Sequence, residues 1–354
     1  MPQALKFTIY LALLAFTAVA PFAFPQFGTQ LATLWLFIIV ALTWDLTGGQ
    51  MGYNSLGNIF FYGTGMYVAA VVAIALVYNV AEYTDASGGG KFDFTPVQYF
   101  TGLALGTLAA GVFCAVAAVL IGWLTFGMRG PYFAIGTLGV AIAAGELVSN
   151  WDYVGGGQGI SLPVYPGDLD EGKIFFYYLF AAVGVATIVF LSWLYSTRFG
   201  AALNAIRDDE EKAEGMGIHT LRYKLVAWAI AAFMVGMAGA ISAFQLIHFE
   251  PLETAYQTIN LGIFMVVCVL LGGKGTLWGP VIGAIVFHVF KEVTWNYFLG
   301  WQWVALGALI VVIVVYFQEG IMGWLMRQRP EWFGVRVDEK ETSAPAGAAP
   351  EAAE

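Results

Sequence analysis

The sequence predicts an all-α integral membrane protein of about ten transmembrane helices, some broken or re-entrant, with an inverted repeat expected. Three observations carry that prediction. Hydrophobic residues make up 59% of the 354, charged residues only 11%, and mean hydropathy is +0.74, so a soluble fold would lack polar surface to face water. Apolar runs of spanning length recur along the chain. Two gaps between them are glycine-rich and fall at corresponding places in the two halves.

In order, the runs are Leu5 to Phe24, Thr29 to Leu46, Ile59 to Tyr78, Val97 to Phe126 and Pro131 to Ser149. Ile174 to Tyr195, Leu225 to Ile247, Thr258 to Leu271, Leu277 to Phe298 and Val304 to Met326 follow. The first has Lys6 ahead of it and Ala18-Val19-Ala20 near its end, in the manner of a signal peptide. Its apolar stretch exceeds a signal core and Pro21 would follow the cut, so it is expected to stay as the first span. The run from Thr258 is short for roughly 30 Å of hydrocarbon.

With the amino terminus inside, twelve of the 15 Lys and Arg fall on the cytoplasmic side, against Lys91 and Lys173 outside and Lys291 near a span end. Both termini are therefore expected in the cytoplasm. Residues 1–326 read as one polytopic transmembrane domain with a long cytoplasmic loop at 198–224. Residues 327–354, rich in Pro, Ala, Glu and Gly, read as a disordered cytoplasmic tail.

The net charge of -9 argues against a nucleic-acid partner. Cys114 and Cys268 lie inside apolar runs and read as packing residues. His219, His248 and His288 are scattered without metal spacing, so no metal is expected. The glycines near Lys274 fail as a phosphate loop, because Gly275 stands where Ser or Thr is required.

The stretch from Gly48 to Asn58 is glycine-rich, uncharged and flanked by apolar runs, which places non-helical backbone at membrane depth. Asp45, Gln50, Tyr53, Asn54, Ser55 and Asn58 are thus candidates to line a solute path. The same groups serve equally as glue between spans, where such bonds average under about 1 kcal/mol. In the second half Gln257, Thr258 and Asn260 open the short span, and Gly272 to Pro280 ends it. Small residues four apart, as at Gly102 and Gly106, Ala232, Gly236 and Ala240, or Gly279 and Gly283, read as close helix packing. Glu146, near a span end, reads as either paired or lining the path.

In the 198–224 loop, Leu203, Ile206, Ala213 and Met216 can share one apolar side of a short helix whose other faces are densely charged. Gly215 and Gly217 would end it sharply, as suits a docking helix.

Four blocks resemble the branched-chain amino acid permease family of bacterial ABC importers: Gly48 to Tyr67, Arg129 to Ile135, Ala205 to Ile218, and Leu270 to Pro280. They run in family order from roughly Leu34 to Val315. The resemblance implies a permease subunit of the bacterial inner membrane that moves branched-chain amino acids by alternating access and is not itself an enzyme. It implies a second related permease subunit as heterodimer partner, two cytoplasmic ATPase subunits that hold ATP and Mg, and an extracytoplasmic solute-binding protein. By the same resemblance Arg207, Asp208, Asp209, Glu210, Glu211, Gly215 and Gly217 belong to the helix that docks into the ATPase.

Two departures stand out: Asn58 where the family commonly has His, and the acidic run Asp208 to Glu211 with Glu214. Relatives in this family also carry urea, short amides and aromatic acids, so those solutes stay open. A stand-alone secondary transporter or channel is the rival of another class, and a structural membrane scaffold ranks third.

Overall fold

The computed structural model describes residues 15, 17–85, 92–128, 130–297, 300–316 and 319–328. Among these, seven helical segments are long and apolar enough to cross a membrane. The main helices are α1 (Gly28–Asp45), α2 (Asn58–Ala75), α3 (Pro96–Thr125), α4 (Pro131–Ser149) and α5 (Leu169–Tyr195). Two short helices follow, α6 (Arg198–Asp208) and α7 (Glu210–Gly215). Then come α8 (Thr220–Leu246), α9 (Phe264–Gly272), α10 (Trp278–Tyr297), α11 (Gln302–Tyr316) and α12 (Gly320–Gln328).

Local chemistry sets several boundaries. Thr95 and Gln98 exchange side-chain and backbone hydrogen bonds in a capping box, and Pro96 opens α3 where its missing N–H costs nothing. Thr197 caps α6 by accepting from the Phe199 N–H at 3.2 Å. Ile247 ends α8 at φ 68°, and the chain then pairs as a two-residue antiparallel ribbon, Ile160 opposite Phe249 and Ser161 opposite His248. The ribbon lies at one end of α8, and α6 and α7 lie at the other.

Small residues hold the centre together. Gly65 of α2 lies against the backbone of Gly236 on α8, and Gly236 in turn faces Cys114 of α3. Gly106 of α3 sits on Ala69, and Gly283 of α10 on the carbonyl of Cys268, in agreement with the close-packing reading of these positions. Around them Trp228 meets Phe61, Phe126 and Phe133 edge-on or tilted at 5.2–5.8 Å. Cys114 and Cys268 are buried free thiols. α1 is almost enclosed from Ile38 onward, whereas α3 and α4 expose Leu105, Trp123, Leu124, Ile135 and Leu147, as sides facing hydrocarbon would.

The ten expected spans map unevenly onto these helices. The first run lies largely outside the described residues, although 17–23 are helical. The short eighth span itself opens with a π-turn at Thr258–Ile263 and is extended by another ahead of it at Pro251–Ala255, giving a composite Pro251–Gly272. α10 reaches 20 residues but carries His288, Lys291 and Glu292 in its second half. The tenth run divides into α11 and α12, with Gly320 at φ 69° opening the latter. The expected tail lies outside the described residues except for Arg327 and Gln328, which end α12.

Candidate functional site

The two glycine-rich breaks meet. After Asp45 the backbone widens into a π-turn over Leu46–Gln50 and then continues without regular structure to α2, with Gly52 at φ 84°. Fully buried Asp45 accepts the Gly275 N–H on Oδ1 at 2.7 Å, and the Gln50 amide donates to the Gly275 carbonyl at 2.8 Å. Both backbone groups of Gly275, itself at φ 78°, are therefore clamped by the other half of the chain. Lys274 adds a bond from Nζ to Asn54 Oδ1 at 3.1 Å. Burial pulls the Lys274 ammonium below the usual lysine value; the Asp45 charge opposes this and Arg207 adds to it.

The loop helices close over this knot. Residues 198–215 form two helices rather than one, because Asp209 turns extended (φ -163°) and caps α7 through the Lys212 N–H. Arg207, paired with exposed Asp208 at 3.0 Å, packs its stem over the Gly52 backbone. Glu210 turns inward and Glu211 outward. Glu210 accepts from Lys224 at 2.6 Å and from the Tyr53 hydroxyl, and Thr220 bridges Glu210 and Glu214. Lys224 Nζ also reaches the Tyr53 hydroxyl at 3.1 Å and lies over the Tyr53 ring at 4.6 Å. Tyr53 packs edge-on against Phe126 and Phe133. Burial alone would raise the Glu210 carboxyl, but the bonds from Lys224 and Tyr53, the Lys224 charge and Thr220 together hold it below the usual value. Its contribution is present at neutral pH and is lost only as pH falls through that lowered value.

Leu203, Ile206 and Ala213 are buried as the helical pattern requires, but Met216 is 83% exposed. The break at Asp209 and the early end of α7 rotate it off the apolar side. Gly217, at φ 86°, is the residue that stops the helix, returning its N–H to the Glu214 carbonyl, and Gly215 is still helical with open space beside it. Gly217→Ala is therefore expected to cost about 1–2 kcal/mol of thermal stability. Gly215→Ala is expected to be neutral or to add up to about 1 kcal/mol, with melting of the purified chain as the measurement.

The other candidate path residues lie elsewhere. Ser55 Oγ accepts the Gly57 N–H, and its carbonyl accepts Trp44 Nε1 at 2.7 Å. Asn58 is 1% exposed with neither amide atom hydrogen-bonded. Gln257 and Asn260 line a cavity of about 260 Å3 toward the ribbon end, while Thr258 bonds its hydroxyl to the Tyr256 carbonyl. Glu146 is exposed on α4. Sequence reasoning missed Lys224 and Thr220 because it began that span at Leu225; α8 starts at Thr220 and takes Lys224 one turn inside.

The family model described as "Branched-chain amino acid transport system / permease component" matches residues 27–316. The high-affinity branched-chain amino acid transport system permease protein LivM of Escherichia coli (strain K12) is 26% identical over 82% of this chain and 72% of its own length. The probable branched-chain amino acid transport permease protein LivM of Methanocaldococcus jannaschii is 22% identical over 82% of this chain and 91% of its own. The autoinducer 2 import system permease protein LsrC of Escherichia coli O9:H4 is 30% identical over 53% of each. No solved structure matches.

Proposed function

This chain belongs to the branched-chain amino acid transport permease family, and from that premise we propose that it carries branched-chain amino acids across the bacterial cytoplasmic membrane. The observation that carries the proposal is the joining of α6 and α7 to both helix breaks through Lys224, Glu210, Tyr53 and Arg207. A motion imposed on α6 and α7 from the cytoplasm would move residues 50–54, and with them α1 and the loop at Lys274.

In this reading the exposed side of α6 and α7, with Met216 just beyond α7, enters a groove on an ATPase subunit. ATP and Mg bind on two such ATPases, and a second related permease completes the pathway. A solute-binding protein delivers cargo at the ribbon end. ATP binding then shifts an equilibrium between outward- and inward-open states by its differential contacts with them. The chain itself hydrolyses nothing.

The test is uptake of labelled leucine by proteoliposomes holding the complete complex and its binding protein. ATP-dependent uptake, abolished when 207–217 is replaced by a flexible linker, is the expected result. Uptake by the chain alone on a sodium or proton gradient would favour a secondary transporter. ATP-driven uptake of urea, amides or aromatic acids but not leucine would keep the machine and change its cargo.

A further inference from the structure

The cavity that takes in Gln257 and Asn260 has a mixed lining. Lys291, Gln257, Asn260 and Thr33 bring charged or polar side chains to its wall, and Leu36, Phe37, Tyr62, Leu261, Phe264 and Trp295 bring rings and aliphatic surface. Its volume, about 260 Å3, is just under the ~300 Å3 at which pockets for drug-sized ligands begin, so it suits one small solute.

Lys291 is the unusual member. It sits six residues inside the end of α10 with its side chain only 21% exposed. Among the described residues its ion-pair partner is Glu292, its neighbour in sequence, at 3.8 Å and so at the limit of an ion pair. Its Nζ rests over the Phe37 and Trp295 rings at 5.5 and 5.8 Å. A cation held among aromatic rings about two turns from a helix end is costly without a strong partner, and such residues in membrane proteins mark solute or ion paths by default. A lysine kept only to reach the interface would extend away from the cavity; this one lines it.

The wall also comes from a broken span, since Gln257, Asn260 and Leu261 lie in or beside the π-turn Thr258–Ile263. Thr33 spends its proton on the Thr29 carbonyl at 2.9 Å, which leaves its oxygen lone pairs open to accept. α1 joins this place to the knot, Thr33 and Asp45 being about 18 Å apart along the helix at 1.5 Å per residue.

We infer that this cavity is the transient solute site of the permease and that Lys291 binds the carboxylate of a free, apolar amino acid. The carbonyl oxygens of Gln257 and Asn260 and the Thr33 hydroxyl accept from the α-ammonium, and the Phe37, Phe264 and Trp295 rings cover the side chain. The arrangement selects a carboxylate with an apolar body over a neutral amide or urea, which would leave the lysine unpaired. This inference rests on the permease reading above and deepens it.

Lys291→Gln and Lys291→Arg in the complete transporter test it. For Lys291→Gln the expected loss in kcat/KM for leucine uptake is about tenfold to a hundredfold, with assembly and binding-protein-stimulated ATP hydrolysis retained. Lys291→Arg is expected to stay within about threefold, because the charge is kept. A structural lysine would not move the second readout: leucine, but not leucinamide, raises the melting temperature of the complex without binding protein, and the difference vanishes in Lys291→Gln. If wild type takes up leucine and Lys291→Gln does so unchanged, or if leucine and leucinamide shift melting equally, the inference is overturned while the permease reading stands. If wild type takes up no leucine with ATP, the reading beneath it fails instead. Should Lys291→Gln not assemble, Leu36→Trp decides. Filling the cavity must abolish uptake while ATP hydrolysis continues, and unchanged uptake overturns the inference.

Discussion

Replacing Lys224 with methionine is expected to lower thermal stability of the purified chain by about 3–5 kcal/mol and ATP-driven uptake by about tenfold or more. Lys224 is 3% exposed and Glu210 only 16%, so removing the ammonium strands a largely desolvated carboxylate against the Tyr53 and Thr220 hydroxyls. The methionine itself fits, since the site is walled by the Tyr53 and Phe126 rings. Glu210→Gln alone should also be destabilising, because the amide still accepts from Lys224 but leaves that more deeply buried ammonium without its counter-charge. The combined variant should be clearly more stable than the sum of the two single losses predicts. Strictly additive losses in melting experiments would mean that the pair does not work as a unit and is no latch between α7 and the helix break.

The second large effect is expected at Gly49. A Cβ there would collide with the Asp45 carboxylate and come within 2.7 Å of the Gly275 nitrogen, the two groups that join the halves of the chain. Neither is the end of a flexible side chain free to swing away, as Asp45 is fully enclosed. Overpacking of about 1–3 kcal/mol and a lost charge-assisted bond of about 1.5–3 kcal/mol combine in Gly49→Ala to roughly 3–5 kcal/mol. The expected outcome is little folded protein in membranes and a sharply lowered melting temperature, set beside Gly215→Ala, which adds the same methyl where nothing lies within 4 Å. Equal behaviour of the two variants would remove the argument that the Asp45–Gly275 clamp holds the breaks together.

Much of this molecule is legible without coordinates. The break after Asp45 is written in Gly48, Gly49 and Gly52, and the short eighth span in the polar residues that open it. The helical loop at 198–224 is announced by dense charge over an apolar side, and two of its acidic positions, Asp209 and Glu210, carry specific structural tasks. The pattern does not show that the loop splits at Asp209, since that depends on one residue turning extended to cap the next helix. Lys291 read as a basic residue near a span end, and only the structure sets its Nζ over the rings of Phe37, on another helix, and Trp295, on the next turn.

The sequence by itself determined the solvent, the order of the apolar segments, the places where helix must fail and the permease family. Composition and periodicity respond to water and lipid, and glycine acts on its own backbone wherever it stands. Tertiary structure alone decided that Gly275 closes on Asp45, that Lys224 rather than Arg207 grips Glu210, and that Gln257 shares a cavity with Lys291. The reason is physical. Helices apolar on nearly every side carry no stripe to say which face meets which neighbour, so the pairing of their few polar groups is settled only by how the small residues let the backbones approach.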